Sequence, residues 1–206
     1  MTIQFKTHKI IRNCNKNYKD YHDYKPFLKV DFVGRCAYCN MNDEWLLPLP
    51  YQIDHFIPRV AFEKAGRKDL DTDYKNLMYS CPICNRLKGG VFSGDVPATE
   101  IKNPHFYNPV DKDYNTLFYR DEKGHIMSDD ELGQRMIKQL QLYRPTKQMA
   151  WFLDELKEVR DMIAVRTKQE QDSEKRERLN LAKTNLESAL YRKHSYFVHS
   201  YVIEKG

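Results

Sequence analysis

The sequence predicts an α+β fold, in which a small module of two short strands and one helix precedes a mainly helical C-terminal region. Two pairs of cysteines, Cys36/Cys39 and Cys81/Cys84, bracket the module. Short apolar segments and turn-forming residues lie between the pairs, and repeats with helical spacing follow them. These patterns divide the chain into a lead-in element at 1–30, a core segment at 31–95, a connecting segment at 96–127 and a helical region at 128–206.

The lead-in element and the core segment contain the first two predicted helices and the first two predicted strands. Aromatic and apolar residues over 18–28 are spaced to lay a short helix against the core segment. Residues 51–58 predict a strand that Pro58 ends, and residues 76–80 predict a second strand. A helix then begins at Pro82, and two glycines at 89 and 90 end it. The expected order is strand, long loop, strand and helix.

A hairpin and three helices are expected in the remaining segments. Residues 117–120 and 125–127 predict paired strands, with Gly124 in the turn because glycine readily adopts a positive φ. Ser128, followed three residues later by Glu131, is typical of a helix N-terminal cap. Apolar residues at helical spacing predict two further helices, one after Pro145 and one over 179–190. The mixed-charge stretch 168–178 predicts a solvated helix end or turn between them.

Charge and composition narrow the class of protein. The chain has 206 residues, of which 41% are hydrophobic, so it can form a sizeable core. Its 34 basic and 29 acidic residues leave a net charge of +5. This small excess favours a polyanionic partner only weakly, so phosphate contacts must come from local clusters of basic residues. No stretch is long and apolar enough for a signal peptide or a membrane span, so we expect a soluble cytoplasmic protein that does not contact a membrane. The sequence leaves its oligomeric state open.

The two C-x-x-C pairs predict a structural zinc site. In each pair the two intervening residues form a turn that aims both sulfurs at one point, and four thiolates complete the tetrahedral shell of zinc. Cysteines at this spacing in a reducing cytosol are better explained as metal ligands than as disulfides. The fifth cysteine, Cys14, is expected to be an ordinary thiol. The long gap between the pairs indicates that a functional element is inserted there.

That inserted element carries Asp54 and His55 at the end of the first core strand. A carboxylate can bind a hard divalent cation, and an imidazole, with a pKa near neutral, can take a proton from water. The pair therefore predicts a catalytic metal ion in addition to the structural one.

Linked motifs run through residues 31 to 90. They are Cys36-x-x-Cys39, Ile53-Asp54-His55-Phe56-Ile57-Pro58, Asn76-Leu77 and Cys81-x-x-Cys84-Asn85-x-x-Lys88-Gly89. In order and spacing, this set resembles the HNH endonuclease family with a four-cysteine zinc site. The resemblance implies the ββα-metal fold and metal-dependent cleavage of phosphodiester bonds.

The resemblance also implies roles for individual residues. His55 would be the general base that activates water, Asp54 a ligand of the catalytic ion, and Asn76 the residue that holds the two strands and orients the histidine. The third family position, often histidine, is Asn85 in this chain, and an amide oxygen suits Mg²⁺ or Mn²⁺ better than zinc. Around the scissile phosphate, the resemblance implies three basic contacts: Arg59, Arg86 and Lys88.

The leading interpretation is an HNH endonuclease that hydrolyses DNA, double-stranded rather than single-stranded, by a one-metal mechanism with a histidine general base. A looser likeness of residues 104–145 to HNH nucleases of bacterial antiphage defence systems suggests a role there, with an ATPase subunit as partner. Three alternatives stay open at this point. They are a non-catalytic zinc-knuckle module that binds nucleic acid, an assembly subunit, and an HNH-type nuclease that cleaves RNA or tRNA.

Overall fold

The computed structural model describes residues 2–46 and 49–205 of the chain. In these residues it has five short strands and six α-helices, joined by loops and short 3-10 turns. The strands are β1 (Ile3–Gln4), β2 (Gln52–His55), β3 (Leu77–Ser80), β4 (Tyr119–Arg120) and β5 (Ile126–Met127). The helices are α1 (Lys25–Asp31), α2 (Arg59–Lys64), α3 (Pro82–Lys88), α4 (Glu131–Gln139), α5 (Pro145–Gln169) and α6 (Ser173–Lys205).

The core segment contains a two-stranded antiparallel sheet followed by a helix. β2 pairs with β3 so that His55 lies opposite Leu77. α3 begins directly after β3 because Pro82 occupies its first turn, and it ends at Gly89, whose φ is +48°. The predicted order of strand, strand and helix is therefore found. β2 is shorter than the predicted strand, because the chain turns after His55 and enters α2 at Arg59.

A second sheet lies outside the core segment. The predicted hairpin is present as β4 and β5, and β1 adds a third antiparallel strand by pairing with β4. The hairpin turn requires glycine for two reasons. Gly124 has a φ of +84°, and a Cβ atom there would lie 2.1 Å from Cε3 of Trp151. The turn thus allows the hairpin to sit directly on α5.

The N-terminal cap of α4 differs from the sequence prediction. Its cap residue is Asp130, whose Oδ1 accepts a hydrogen bond from the amide of Gly133 at 2.7 Å. The Ser128 hydroxyl instead donates to the carbonyl of Leu117 at 2.6 Å, which fastens the start of the helix to the connecting segment. Ser128 therefore serves a tertiary contact rather than the cap.

The C-terminal region is built on two long helices, α5 and α6, which pack against each other. They are separated at residues 170–172, inside the mixed-charge stretch, as the sequence indicates. One hydrophobic cluster joins the helices to the core segment, with Leu153 of α5 and Phe197 of α6 buried in it. The α+β class, with a small core and a mainly helical C-terminal region, is confirmed. The four-segment division of the chain stays a prediction.

No helix in the described parts of the chain combines the length and apolar character that crossing a membrane requires.

Candidate active site and metal centre

The four paired cysteines converge on one point. Their sulfur atoms all lie within 4.8 Å of one another, and all four residues are buried. The first pair sits in a tight turn, in which the amide of Asn40 donates to the carbonyl of Cys36 at 3.0 Å. The amide of Ala37 donates to the carbonyl of Tyr79 at 2.8 Å, which fixes this turn against β3. Four convergent, buried sulfurs are the donor set that tetrahedral zinc takes in structural sites, so the residues fit the ion.

The second pair sits at the start of α3. Cys81 is the N-terminal cap of that helix, and its Sγ accepts a hydrogen bond from the amide of Cys84 at 3.5 Å. Burial alone raises the pKa of the Cys81 thiol, but hydrogen bonds from the other three thiols and the charge of Lys147 hold its pKa well below the ordinary value. A thiolate is the form of cysteine that binds metal. The surroundings of Cys81 therefore favour the ligand form.

His55, at the end of β2, has a defined ring orientation. Its Nε2 lies 3.0 Å from the backbone carbonyl oxygen of Asp71 and 3.3 Å from the carboxylate of the same residue. Because a carbonyl oxygen only accepts hydrogen bonds, Nε2 carries the proton of the neutral ring. Nδ1 is then the ring nitrogen that can accept a proton, as a general base must.

Aromatic rings enclose this imidazole. The ring of Tyr21 packs edge-on with a centroid distance of 4.8 Å, and Phe62 lies at 5.7 Å. Only 8% of the His55 surface is exposed. Burial lowers the pKa of His55 below its ordinary value, although hydrogen bonding and the carboxylates of Asp71 and Asp54 oppose the shift. The environment favours the neutral ring that a general base requires.

Asn76 is wholly buried and pins the loop that follows His55. Its Oδ1 accepts a hydrogen bond from the amide of Ile57 at 2.8 Å. Its Nδ2 donates to the carbonyls of Ile57 at 3.2 Å and Leu70 at 3.0 Å. The side chain thus joins the end of β2 to the loop that approaches His55 from the other side. This position suits the orienting role that the sequence analysis gives it.

The side chain of Asp54 lies on the face of β2 opposite that of His55 and is buried against α3. One carboxylate oxygen accepts a hydrogen bond from the Tyr38 hydroxyl, and the other lies 3.1 Å from Nζ of Lys88. Lys88 is 0% exposed and also donates to the backbone carbonyl of His55 at 2.7 Å. Lys88 is therefore not at the surface, where the predicted contact with phosphate would require it to be. It is an internal partner of Asp54, because a buried carboxylate needs a charge partner.

Asn85 lies one turn before Lys88 on α3 and faces the same side of β2. Its Nδ2 donates to Oε1 of Gln52 at 2.8 Å. A groove of about 410 Å³ opens beside it, lined in part by Tyr21 and Lys25 from the lead-in element. The structure therefore brings Asp54 and Asn85 to one strand–helix junction, and the groove gives solvent and a ligand access to the Asn85 end of it.

The two arginines expected to contact phosphate lie at the surface. Arg59 is about half exposed, its guanidinium is 2.7 Å from a carboxylate oxygen of Asp71, and it stacks over the ring of Tyr21 at 5.1 Å. Arg86 is exposed on α3 and donates to the backbone carbonyl of Glu204 at 3.1 Å. Asp71 thus contacts both Arg59 and His55.

Three residues that touch His55 or Asp54 are not predicted from the sequence: Tyr21, Tyr38 and Asp71. Tyr38 lies between the cysteines of Cys36-x-x-Cys39, at a position that the motif leaves open, and the other two lie outside the motifs. No spacing pattern marks them, because loops and 3-10 turns bring each of them to the site.

Comparisons with known proteins agree with this geometry. The HNH endonuclease family model matches residues 36–90. No curated protein and no solved structure matches the sequence. The matched residues include both cysteine pairs and the strand–strand–helix unit that holds Asp54, His55, Asn76 and Asn85. Residues 36–90 of this chain therefore form an HNH endonuclease domain.

Proposed function

We propose that this protein is a metal-dependent endonuclease that hydrolyses phosphodiester bonds of double-stranded DNA. The observation that carries the proposal is the geometry of His55. Its Nε2 lies 3.0 Å from the carbonyl oxygen of Asp71, which assigns the ring proton to Nε2 and leaves Nδ1 as the nitrogen that would accept a proton from water, and burial lowers the pKa of the ring. A module that only binds nucleic acid has no need of a histidine held in one tautomer.

The other residues of the junction have supporting roles in this proposal. Asn76 keeps the loop after His55 in place. Asp54 and Asn85 would hold the catalytic ion, since carboxylate and amide oxygens are the donors that Mg²⁺ and Mn²⁺ prefer. A hard divalent ion bound there would stabilise the negative charge that develops on the phosphate and the leaving oxygen. Lys88 balances the charge of Asp54 in the protein without substrate.

Nucleic acid would approach over the exposed arginines. Arg59, at the start of α2, contacts Asp71 beside His55, and Arg86 follows Asn85 on α3. Phosphate oxygens are good partners for guanidinium groups. Arg59 now pairs with Asp71, so a bound phosphate would compete with that carboxylate. Such contacts bind the phosphate backbone of the nucleic acid without reading its base sequence. Because RNA has the same phosphate groups, RNA is the main alternative substrate.

The test is a cleavage assay on the purified full chain with its zinc content measured. Duplex DNA, single-stranded DNA and RNA are each incubated with Mg²⁺, with Mn²⁺ and with neither ion. We expect cleavage of duplex DNA that depends on the added ion. The variant His55→Ala should lower the rate by roughly 10²–10⁴-fold, the contribution typical of a general base. The exposed histidine variant His199→Ala is the matched control and should cut at the wild-type rate.

Each outcome has a definite meaning. If His55→Ala cleaves as fast as the wild type, the general-base assignment is wrong. Cleavage of RNA alone would change the substrate and keep the mechanism. Binding of all three nucleic acids without cleavage, with zinc present, would favour a zinc-knuckle binding module.

A role in antiphage defence and an ATPase subunit as partner stay predictions. Purification of the native complex from its host, followed by identification of the bound proteins, tests both.

A further inference from the structure

A lysine is buried beside the cysteine cluster. Lys147, in the first turn of α5, is 1% exposed, and its Nζ lies 3.6 Å from Sγ of Cys81. Across residues 2–46 and 49–205, no carboxylate forms an ion pair with it. A buried ammonium without a charge partner is strongly destabilising. The sulfur of Cys81, which is anionic as a metal-binding thiolate, is the group that this lysine contacts.

The last helix supplies a second polar group to the same sulfur. Tyr201 of α6 is wholly buried, and its hydroxyl is hydrogen-bonded with the Cys81 side chain and accepts the amide of Ile83 at 3.3 Å. Nζ of Lys147 lies 5.7 Å from the centre of the Tyr201 ring. Both long helices therefore reach the surroundings of Cys81, although neither contains a cysteine.

A further set of contacts fixes Lys147 in this place. The guanidinium of Arg144, which precedes α5, donates to the backbone carbonyl of Glu204 at 2.8 Å. The hydroxyl of Thr146 donates to the carboxylate of the same Glu204. The start of α5 is thereby tied to the end of α6, and the lysine side chain is held over the metal ligands.

The net charge of the zinc-loaded cysteine cluster bears on the role of Lys147. The four negative charges of the thiolates exceed the two positive charges of one zinc ion, so the zinc-loaded centre would carry a net negative charge. Because the centre is buried, that net charge costs free energy unless a positive group offsets it. We propose that Lys147 is a positioning residue of the zinc centre, whose ammonium offsets the excess negative charge and so couples zinc retention to the docking of α5 and α6. This inference rests on zinc being held by the four cysteines and is independent of the proposed cleavage.

The first test measures zinc binding in Lys147→Met, which keeps the length and apolar stem of the side chain and removes its charge. The full-length, zinc-loaded protein is titrated with a chromogenic chelator. Loss of a partner that contacts a metal ligand typically costs 10–100-fold in affinity, and we expect a fall of about that size. The exposed Lys168→Met, on the same helix, should bind zinc as the wild type does.

The isosteric variant separates charge from packing. If Lys147 only fills space, methionine replaces it and the zinc affinity stays within about twofold of the wild type; that result overturns the proposal. Tyr201→Phe should show a smaller loss than Lys147→Met, because it removes a neutral hydrogen-bonding group rather than a charge.

A second measurement uses the wild-type chain and does not depend on a variant that folds. Hydrogen exchange is compared with and without zinc. Removal of the ion should speed exchange in the first turns of α5 and near Tyr201, in addition to the cysteine turns. Unchanged exchange in both helices, with faster exchange at the cysteines, would show that the helices do not sense the ion and would overturn the coupling.

Discussion

Replacing Asn76 with alanine should be among the most destabilising single changes in the HNH domain. The side chain is wholly buried and makes three hydrogen bonds, one with the amide of Ile57 and two with the carbonyls of Ile57 and Leu70. Alanine removes all three hydrogen bonds, so the buried amide of Ile57 and the buried carbonyls of Ile57 and Leu70 each lose the partner that Asn76 supplies. The loop after His55 then loses its attachment to the loop that carries Leu70.

The size of the effect follows from these contacts. A net hydrogen bond contributes roughly 1 kcal/mol, and each buried group left unpaired adds to the cost, so Asn76→Ala should lose about 3–5 kcal/mol. For a chain of this length, 1 kcal/mol corresponds to about 2–4 °C in Tm, so a fall of at least ~6 °C is expected.

Thermal unfolding of the zinc-loaded protein measures the loss, with the exposed Asn180→Ala as the control that should change little. Asn76→Asp is a second probe. It keeps the oxygen that accepts the hydrogen bond from the amide of Ile57, but it replaces the Nδ2 donor with an oxygen that faces the carbonyls of Ile57 and Leu70. It should be at least as unstable as the alanine variant at neutral pH and recover in part when the carboxyl is protonated. A loss below 1 kcal/mol for Asn76→Ala would refute the view that this side chain fastens the two loops.

Three further changes have expected outcomes. Burial, together with the charges of Lys6 and Arg35, lowers the pKa of His8 from 6.5 to about 4. As the pH drops from 6.5 towards 4, the unfolded chain therefore binds a proton at His8 before the folded chain does, and the free energy of unfolding should fall. Urea unfolding should show a weaker fall for His8→Gln than for the wild type, and an equal dependence of stability on pH in the two proteins would contradict this. Gly124→Ala combines a positive φ with a clash against a tryptophan ring and should cost roughly 2–5 kcal/mol, which calorimetry measures. Cys84→Ser should release zinc and unfold the core segment, as metal analysis and circular dichroism would record; a folded variant with full zinc content would disprove the structural site.

Much of the domain could be predicted because its signals are local in the sequence. The cysteine pairs, the strand that ends in His55 and the helix that begins at Pro82 each follow from a few adjacent residues. The separation of α5 from α6 also follows from composition, since the stretch between their apolar residues carries mixed charge. These features depend little on what the rest of the chain does.

The residues that sequence reasoning misplaced depend on distant contacts. Lys88 looks like a surface charge on a helix, and its contacts with the buried Asp54 and with the carbonyl of His55 explain its inward position. β1 is two residues long and pairs with a strand more than a hundred positions away, so no local pattern marks it. Ser128 satisfies the sequence rule for a cap, yet the carbonyl of Leu117 takes its hydroxyl. In each case a tertiary partner decides between two locally acceptable conformations.

The contacts of Lys147 and Tyr201 with Cys81 also bear on the timing of biosynthesis. A ribosome makes the chain from its N-terminus, so the cysteines and His55 emerge well before α6 exists. A nascent chain would therefore carry the four cysteines and the HNH motifs before Tyr201, whose hydroxyl contacts the Cys81 side chain, is present. A chain that ended before α6 would lack this contact with the cysteine cluster.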